Sequence, residues 1–275
     1  MPHTIGFVEN DGTLAHYKML QVIRDFAAAN GWTVLRYDTA PANRELILQT
    51  PDIEGVPAAF VGFRTYQDAA GDYYNLLAAV FTGYVASNTF DGQPGAKLSG
   101  VPAHNNRIDY WLTLNSGRIA LAMKVGTPVY QSAYVGKFLP YAAPNQYPYP
   151  VVCGGMLNGA AATRFSDTTH SMPYKGARVN LGMRFNDGTW RQPEVWPWNN
   201  TDLTGSAPLR DTEDTYQCLP LVLSDASGLY GELDGIFAIS GFNNAVENTA
   251  PTDMVIIQDT YRTGFTDYYA MRLDP

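Results

Sequence analysis

The stretch that most limits what this chain can fold into is Ile108 to Val125, IDYWLTLNSGRIALAMKV. Ile108, Tyr110, Leu112 and Leu114 alternate with Asp109, Trp111 and Thr113, and Ile119, Leu121, Met123 and Val125 alternate again after Asn115-Ser116-Gly117. Period-two runs joined by a short Asn/Gly connection predict a β-hairpin. Beyond Val129 the chain turns Tyr- and Pro-rich. Pro140, Pro144, Pro148 and Pro150 forbid a long helix, because each lacks an N–H and restricts its predecessor, so an extended arm over 138–150 is expected.

Elsewhere the pattern gives one convincing helix over 13–29. Met19, Leu20, Ile23, Phe26 and Ala27 recur at helical spacing, with Thr13 placed to cap the start and Asn30-Gly31 to end it. WTVLRYD (32–38), RELILQT (44–50) and AAFVGFRTY (58–66) read as three strands of an antiparallel meander. Residues 72–85 fit both states; the stripe Tyr73, Leu76, Leu77, Val80, Phe81, Tyr84 favours helix, and the aromatic and β-branched content favours strand. Helix is the expectation. Gly and Pro dominate 88–106, which places a boundary there.

Downstream, 156–176 and 197–215 read as long loops. ARVNLGMRF (177–185) turned by Asn186-Asp187-Gly188 reads as another hairpin, and strands are expected at 218–224, 235–241, 252–261 and 267–273. The predicted fold is therefore α+β and β-rich. An N-terminal helix plus antiparallel meander (1–100) precedes a larger antiparallel β region with long loops (101–275).

Composition narrows the function classes. A net charge of −8 with 16% charged residues offers no phosphate-seeking surface, which disfavours sequence-independent nucleic-acid binding, and no sequence-specific nucleic acid is expected as a partner either. Among the cations 13 are Arg and 5 are Lys, beside 18 Tyr and 5 Trp. Arg, Tyr and Trp are enriched at protein interfaces, although genome composition also shifts Lys to Arg. No basic-then-apolar leader opens the chain, and no stretch approaches the ~20 apolar residues of a membrane span. A soluble protein assembled in a cytoplasm is expected.

Motifs for chemistry are scarce. In YGELDG (230–235), Glu232 and Asp234 stand two apart, as some retaining glycosidases space acid and nucleophile, but Phe237 occupies the place where those enzymes usually carry another Glu. A polar turn ahead of the next strand is the simpler reading. His3, His16, His104 and His170 are scattered, and Cys153 and Cys218 lack partners at metal-ligand spacing, so neither a metal nor a disulfide is expected. Nucleophile elbows, phosphate loops and dinucleotide fingerprints are missing from the sequence. No catalytic residue, cofactor site or metal site is assigned. The aromatic sets Tyr141, Tyr147, Tyr149 and Trp190, Trp196, Trp198 would suit a sugar platform, or core and interface anchors.

Several blocks resemble virion structural proteins of tailed bacteriophages: the opening helix ending in Gly31-Trp32, RELIL (44–48), FVGFRTYQ (60–67), DYYN (72–75), the hairpin at 108–125, FLPYAAPNQYPYPVVCGG (138–155), YGELDGIFAISGFNNAVEN (230–248) and the YRTGFTDYYAMRL ending. The resemblance implies a non-enzymatic structural subunit of the virion, assembled in the host cytoplasm. Its partners would be itself, in a ring of six or a multiple of six, and other virion proteins such as tail tube, sheath, connector or baseplate. The helix-then-meander order resembles tail-terminator proteins, which favours a collar at the head–tail neck. The alternatives are a baseplate or tail-tip protein, or a carbohydrate-binding or glycosidase protein of the tail. The Pro-rich arm would be an inter-subunit strap.

Overall fold

A computed structural model describes residues 1–126, 129–167, 170–175, 180–200, 218–239, 247, 253–260 and 267–273. The N-terminal part runs β1 (His3–Glu9), α1 (Ala15–Ala29), β2 (Thr33–Asp38), β3 (Glu45–Gln49), β4 (Phe60–Asp68), β5 (Tyr73–Phe81) and β6 (Lys97–Pro102). The middle supplies β7 (Arg107–Leu114), β8 (Arg118–Val125), β9 (Val129–Lys137), β10 (Leu139–Pro140), β11 (Val151–Gly154) and β12 (Leu157–Asn158), then one 3-10 turn at Pro173–Lys175. The last stretch holds β13 (Leu181–Arg184), β14 (Trp190–Arg191), β15 (Glu194–Trp196), β16 (Leu219–Asp225), β17 (Gly228–Ile239), β18 (Met254–Gln258) and β19 (Tyr268–Arg272). Among the described residues the fold is β-rich with a single α-helix near the N-terminus.

Three antiparallel sheets result. The central one has the order β1-β7-β8-β9-β11-β13-β14; a helix-side sheet runs β12-β6-β5-β4-β3-β2; a C-terminal sheet runs β15-β16-β17-β19-β18 with β10 beside β17. The expected hairpin is its nucleus, in register from Ile108↔Val125 to Leu114↔Ile119. One face of the central sheet packs on the helix-side sheet, where the Cys153 thiol reaches the Ala78 carbonyl (3.6 Å). The other meets the C-terminal sheet, where Ser132 bonds Tyr269 (2.7 Å). With both faces covered, β7 and β8 are buried nearly throughout.

Strands cross residue 100 in both directions. β1 pairs with β7, and β12 pairs with β6.

Four expectations change on contact with the structure. First, 72–85 is not a helix. β5 pairs with β4 from Phe60↔Phe81 to Asp68↔Tyr73. Leu76, Ala78 and Val80 face the main core, while Leu77, Ala79 and Phe81 face a second cluster with Phe90. Burial on both faces erases the alternation of a strand and leaves an apolar run that also fits a helical stripe. Second, Thr13 does not cap α1: the flanking residue is Leu14 with no side-chain cap, and the Ala15 N–H is donated to the Asn105 carbonyl (3.0 Å). A tertiary contact replaces the local one. Third, β1 is a strand that the sequence reading did not assign. Fourth, YGELDG is no turn; it lies inside the twelve-residue β17.

Among its described residues the expected loop 156–176 carries the short β12 and the 3-10 turn at Pro173–Lys175. In the later hairpin β13 pairs with β14, after which β15 departs to the C-terminal sheet. Residues 177–179 of that expected strand, most of the 197–215 loop, and the ends of the expected strands at 240–241, 252 and 261 lie outside the described residues.

A buried ionic group closes the base of the C-terminal sheet. Lys175 Nζ meets Asp259 (2.9 Å) and Asp267, and Asp259 also accepts the Ser171 hydroxyl (2.6 Å) and the Met172 N–H (2.8 Å). It ties the 3-10 turn to the loop-facing ends of β18 and β19.

Candidate functional site

The Pro-rich arm forms one wall of an apolar cleft of about 270 Å³. Ile53, Val56 and Pro57 form the opposite wall, and the β7–β8 turn and Asp234 close the end. Among its lining residues Ile53 and Leu139 are exposed (39% and 52%), as are Pro144, Pro148 and the polar Ser116, so the rim is mostly apolar.

Each wall is fixed by hydrogen bonds, a few local and the rest between segments distant in the chain. Asn115 is the junction. Its Oδ1 accepts the N–H groups of Gly117 (2.7 Å) and Arg118 (3.0 Å), the side-chain-to-backbone turn for which Asn is favoured. Its carbonyl accepts the Trp32 indole N–H (2.9 Å), and its Nδ2 donates to Asp234. Lys137 donates from Nζ to the Pro57 carbonyl (2.6 Å), and burial lowers its pKa. Tyr134 donates its hydroxyl to the Lys137 carbonyl (2.7 Å) and accepts the Asp234 N–H (3.2 Å). The two charged groups lining the cleft are thus already engaged by their own chain.

The arm itself is stapled down. Phe138 N–H bonds the Pro150 carbonyl (3.0 Å), Tyr141 N–H bonds the Tyr230 carbonyl (3.0 Å), and the Tyr147 hydroxyl donates to the Arg184 carbonyl. Tyr147 is buried between Phe138 and Tyr230, so it is a core residue. The arm over 138–150 is thus anchored to its own chain through Phe138, Tyr141 and Tyr147. Only Leu139 and Tyr141 stand out from it as large exposed apolar side chains.

Glu232 and Asp234 do lie on one strand near the cleft. Glu232 accepts the Tyr141 hydroxyl (2.7 Å), whose own pKa burial and the carboxylate raise to about 12. The two acids hold β17 to the arm and to the Asn115 turn. Of the aromatic sets, Trp190 donates its indole N–H to the Gly95 carbonyl (3.1 Å), and Trp190 and Trp198 rest against the main core. With Tyr147 buried, the tyrosine set cannot present three stacking faces together.

The histidines are dispersed. His3 sits on β1, His16 lies on the buried face of α1, His104 accepts the Asn106 N–H (2.8 Å), and His170 bonds Gln131 (3.0 Å). Among the described residues no three His, Cys, Asp or Glu side chains converge as a metal set.

One buried cation stands behind the cleft. Arg118 is fully buried, with its guanidinium bonded to Thr113 Oγ1 (2.6 Å), touching Met1 Sδ, and with Nε lacking a partner among the described residues. Desolvation lowers its pKa, opposed by Tyr134 and Asp234 nearby. No local pattern betrays this arrangement, because Met1, Thr113 and Asp234 are far apart along the chain.

No protein-family model matches the chain, and no curated protein matches it significantly.

Proposed function

We propose that the protein is a structural subunit of a tailed-phage virion, acting through subunit contacts rather than catalysis, and that the cleft beside the Pro-rich arm receives an apolar segment of a neighbouring subunit. The observation that carries this reading is the cleft's chemistry. Its rim is exposed and apolar at Ile53 and Leu139, while Lys137 and Asp234 are already consumed by Pro57 and Asn115. A site of this kind rewards burial of apolar surface and offers little to a polar substrate.

Within that reading a ring at the head–tail neck, a terminator or collar of six subunits, is preferred to a baseplate or tail-tip position. Support comes from the resemblance and from the order helix then meander, here α1 then β2 to β5. A net charge of −8 also suits a ring through which DNA passes without sticking.

The test is an amber mutant of this gene complemented by Leu139→Asp, with particles viewed by electron microscopy. Filled heads beside separate tails in the amber mutant, and failure of Leu139→Asp to incorporate, are the expected results. Absence of tails with normal heads moves the protein to the baseplate. Saturable binding or cleavage of host envelope polysaccharide, lost in Glu232→Gln, overturns the structural reading in favour of a carbohydrate-active protein.

A further inference from the structure

β1 is the edge strand of the central sheet, and its second side has no partner strand among the described residues. Its ladder to β7 fixes which backbone groups are free. Asn10 N–H bonds the Asn106 carbonyl (2.7 Å) and Leu114 N–H bonds the Pro2 carbonyl (3.1 Å), so the even-numbered residues bond inward. By the alternation of an antiparallel ladder, the N–H and C=O groups of His3, Ile5, Phe7 and Glu9 point outward. Ile5 and Phe7 are 51% and 56% exposed, with the Arg107 guanidinium 4.2 Å from the Phe7 ring centre. The strand lacks Pro, bulge and Lys, the usual guards of an open edge.

We propose that β1 pairs antiparallel with β1 of a second copy of this chain, about a twofold axis at Gly6. The sequence HTIGFVE is self-complementary in that register. Ile5 faces Phe7 of the second copy, and His3 faces Glu9, placing an imidazole donor against a carboxylate at both ends. All four outward-pointing residues find outward-pointing partners. A shift by one pair in either direction loses a ladder rung and sets His3 against Phe7 or Glu9 against Ile5. Gly6, at the axis, is the residue for which two strands approach most closely, and a side chain there would already collide with the Tyr110 hydroxyl (2.8 Å from an ideal Cβ).

None of the β1 residues lines the cleft, and the contact needs no ring and stands whether or not the assembly is a virion. Its readout is distinct from particle incorporation. Sedimentation equilibrium of the purified full chain is expected to show a monomer–dimer equilibrium. Phe7→Pro removes an N–H that β7 does not use, so the fold is retained by circular dichroism while dimerisation weakens by about tenfold or more. Ile5→Lys, which leaves the backbone intact, is expected to do the same. His3→Glu weakens the dimer, and adding Glu9→Lys restores it, which only this register allows. A wild-type chain that stays monomeric at high concentration overturns the proposal, and so does a folded Phe7→Pro or Ile5→Lys variant with unchanged dimerisation.

Discussion

Ser132 on β9 and Tyr269 on β19 share a hydrogen bond of 2.7 Å between two buried hydroxyls, and it joins the central sheet to the C-terminal sheet. Tyr269→Phe leaves the Ser132 hydroxyl unpaired away from water, a loss of about 1–3 kcal/mol. Ser132→Ala together with Tyr269→Phe is expected to cost less than the sum of the single changes. A double-mutant cycle from urea unfolding measures this, and additive values would refute it.

His16 gives the fold an acid limit. Its two ring nitrogens are buried without hydrogen-bond partners among the described residues, and burial lowers its pKa from 6.5 to about 4. Below pH 6.5 the unfolded chain binds a proton that the folded chain refuses. Stability is therefore full above that pH and falls as pH drops toward 4, by about 3 kcal/mol in all. His16→Phe is expected to flatten this limb of the stability–pH curve; an unchanged slope between pH 6.5 and 4 would count against it.

Lys175 is the shared cation of two buried carboxylates, with Asp259 and Asp267 side chains only 1% and 4% exposed. Lys175→Met strands both charges and is expected to destabilise by about 3–5 kcal/mol, whereas the double change with Asp267→Asn recovers part of it. Denaturant midpoints read both variants. A loss below one kcal/mol for Lys175→Met, on the order of a surface change, would contradict the arrangement.

Gly136 on β9 has φ +117°, and a Cβ there would meet the Gly117 carbonyl oxygen and lie 2.8 Å from Arg118 Cα. Both obstacles are backbone. Gly136→Ala is expected to cost about 2 kcal/mol or more, since it adds strain at a positive φ to a collision that no rotamer relieves. Thermal unfolding measures it, with Gly228→Ala, which meets nothing, as the control.

The Cys153 thiol, fully buried and pushed up to about 12 by burial, is expected to react with a disulfide reagent only as fast as the chain opens. Labelling followed by mass spectrometry checks this; rapid modification of Cys153 in the native protein would refute it.

The sequence made the frame legible where one physical cause acted alone. The 108–125 hairpin and α1 show their periods because local pattern and burial agree. β5 misled because two cores grip it, so its apolar run is not periodic. β1 hid behind its exposure: Ile5 and Phe7 are apolar residues on the open side, the reverse of the usual alternation. Of the candidate cleft, the arm's prolines were readable as an extended wall. The opposite wall at Ile53 to Pro57 was not, since it meets the arm across eighty residues of chain, as in the Lys137 to Pro57 bond.

The exchange of strands across residue 100 has a temporal side. His3 waits for Thr113, and Ser99 for Asn158, before either pair can form. A nascent chain of the first hundred residues thus holds two open edges, β1 and β6, each without its destined neighbour. Closing such long loops is slow, because chain entropy is lost before the contacts reward it. During synthesis that interval leaves the apolar edge carrying Ile5 and Phe7 available to whatever strand arrives first, which makes synthesis rate and early crowding determinants of the yield of correctly closed protein.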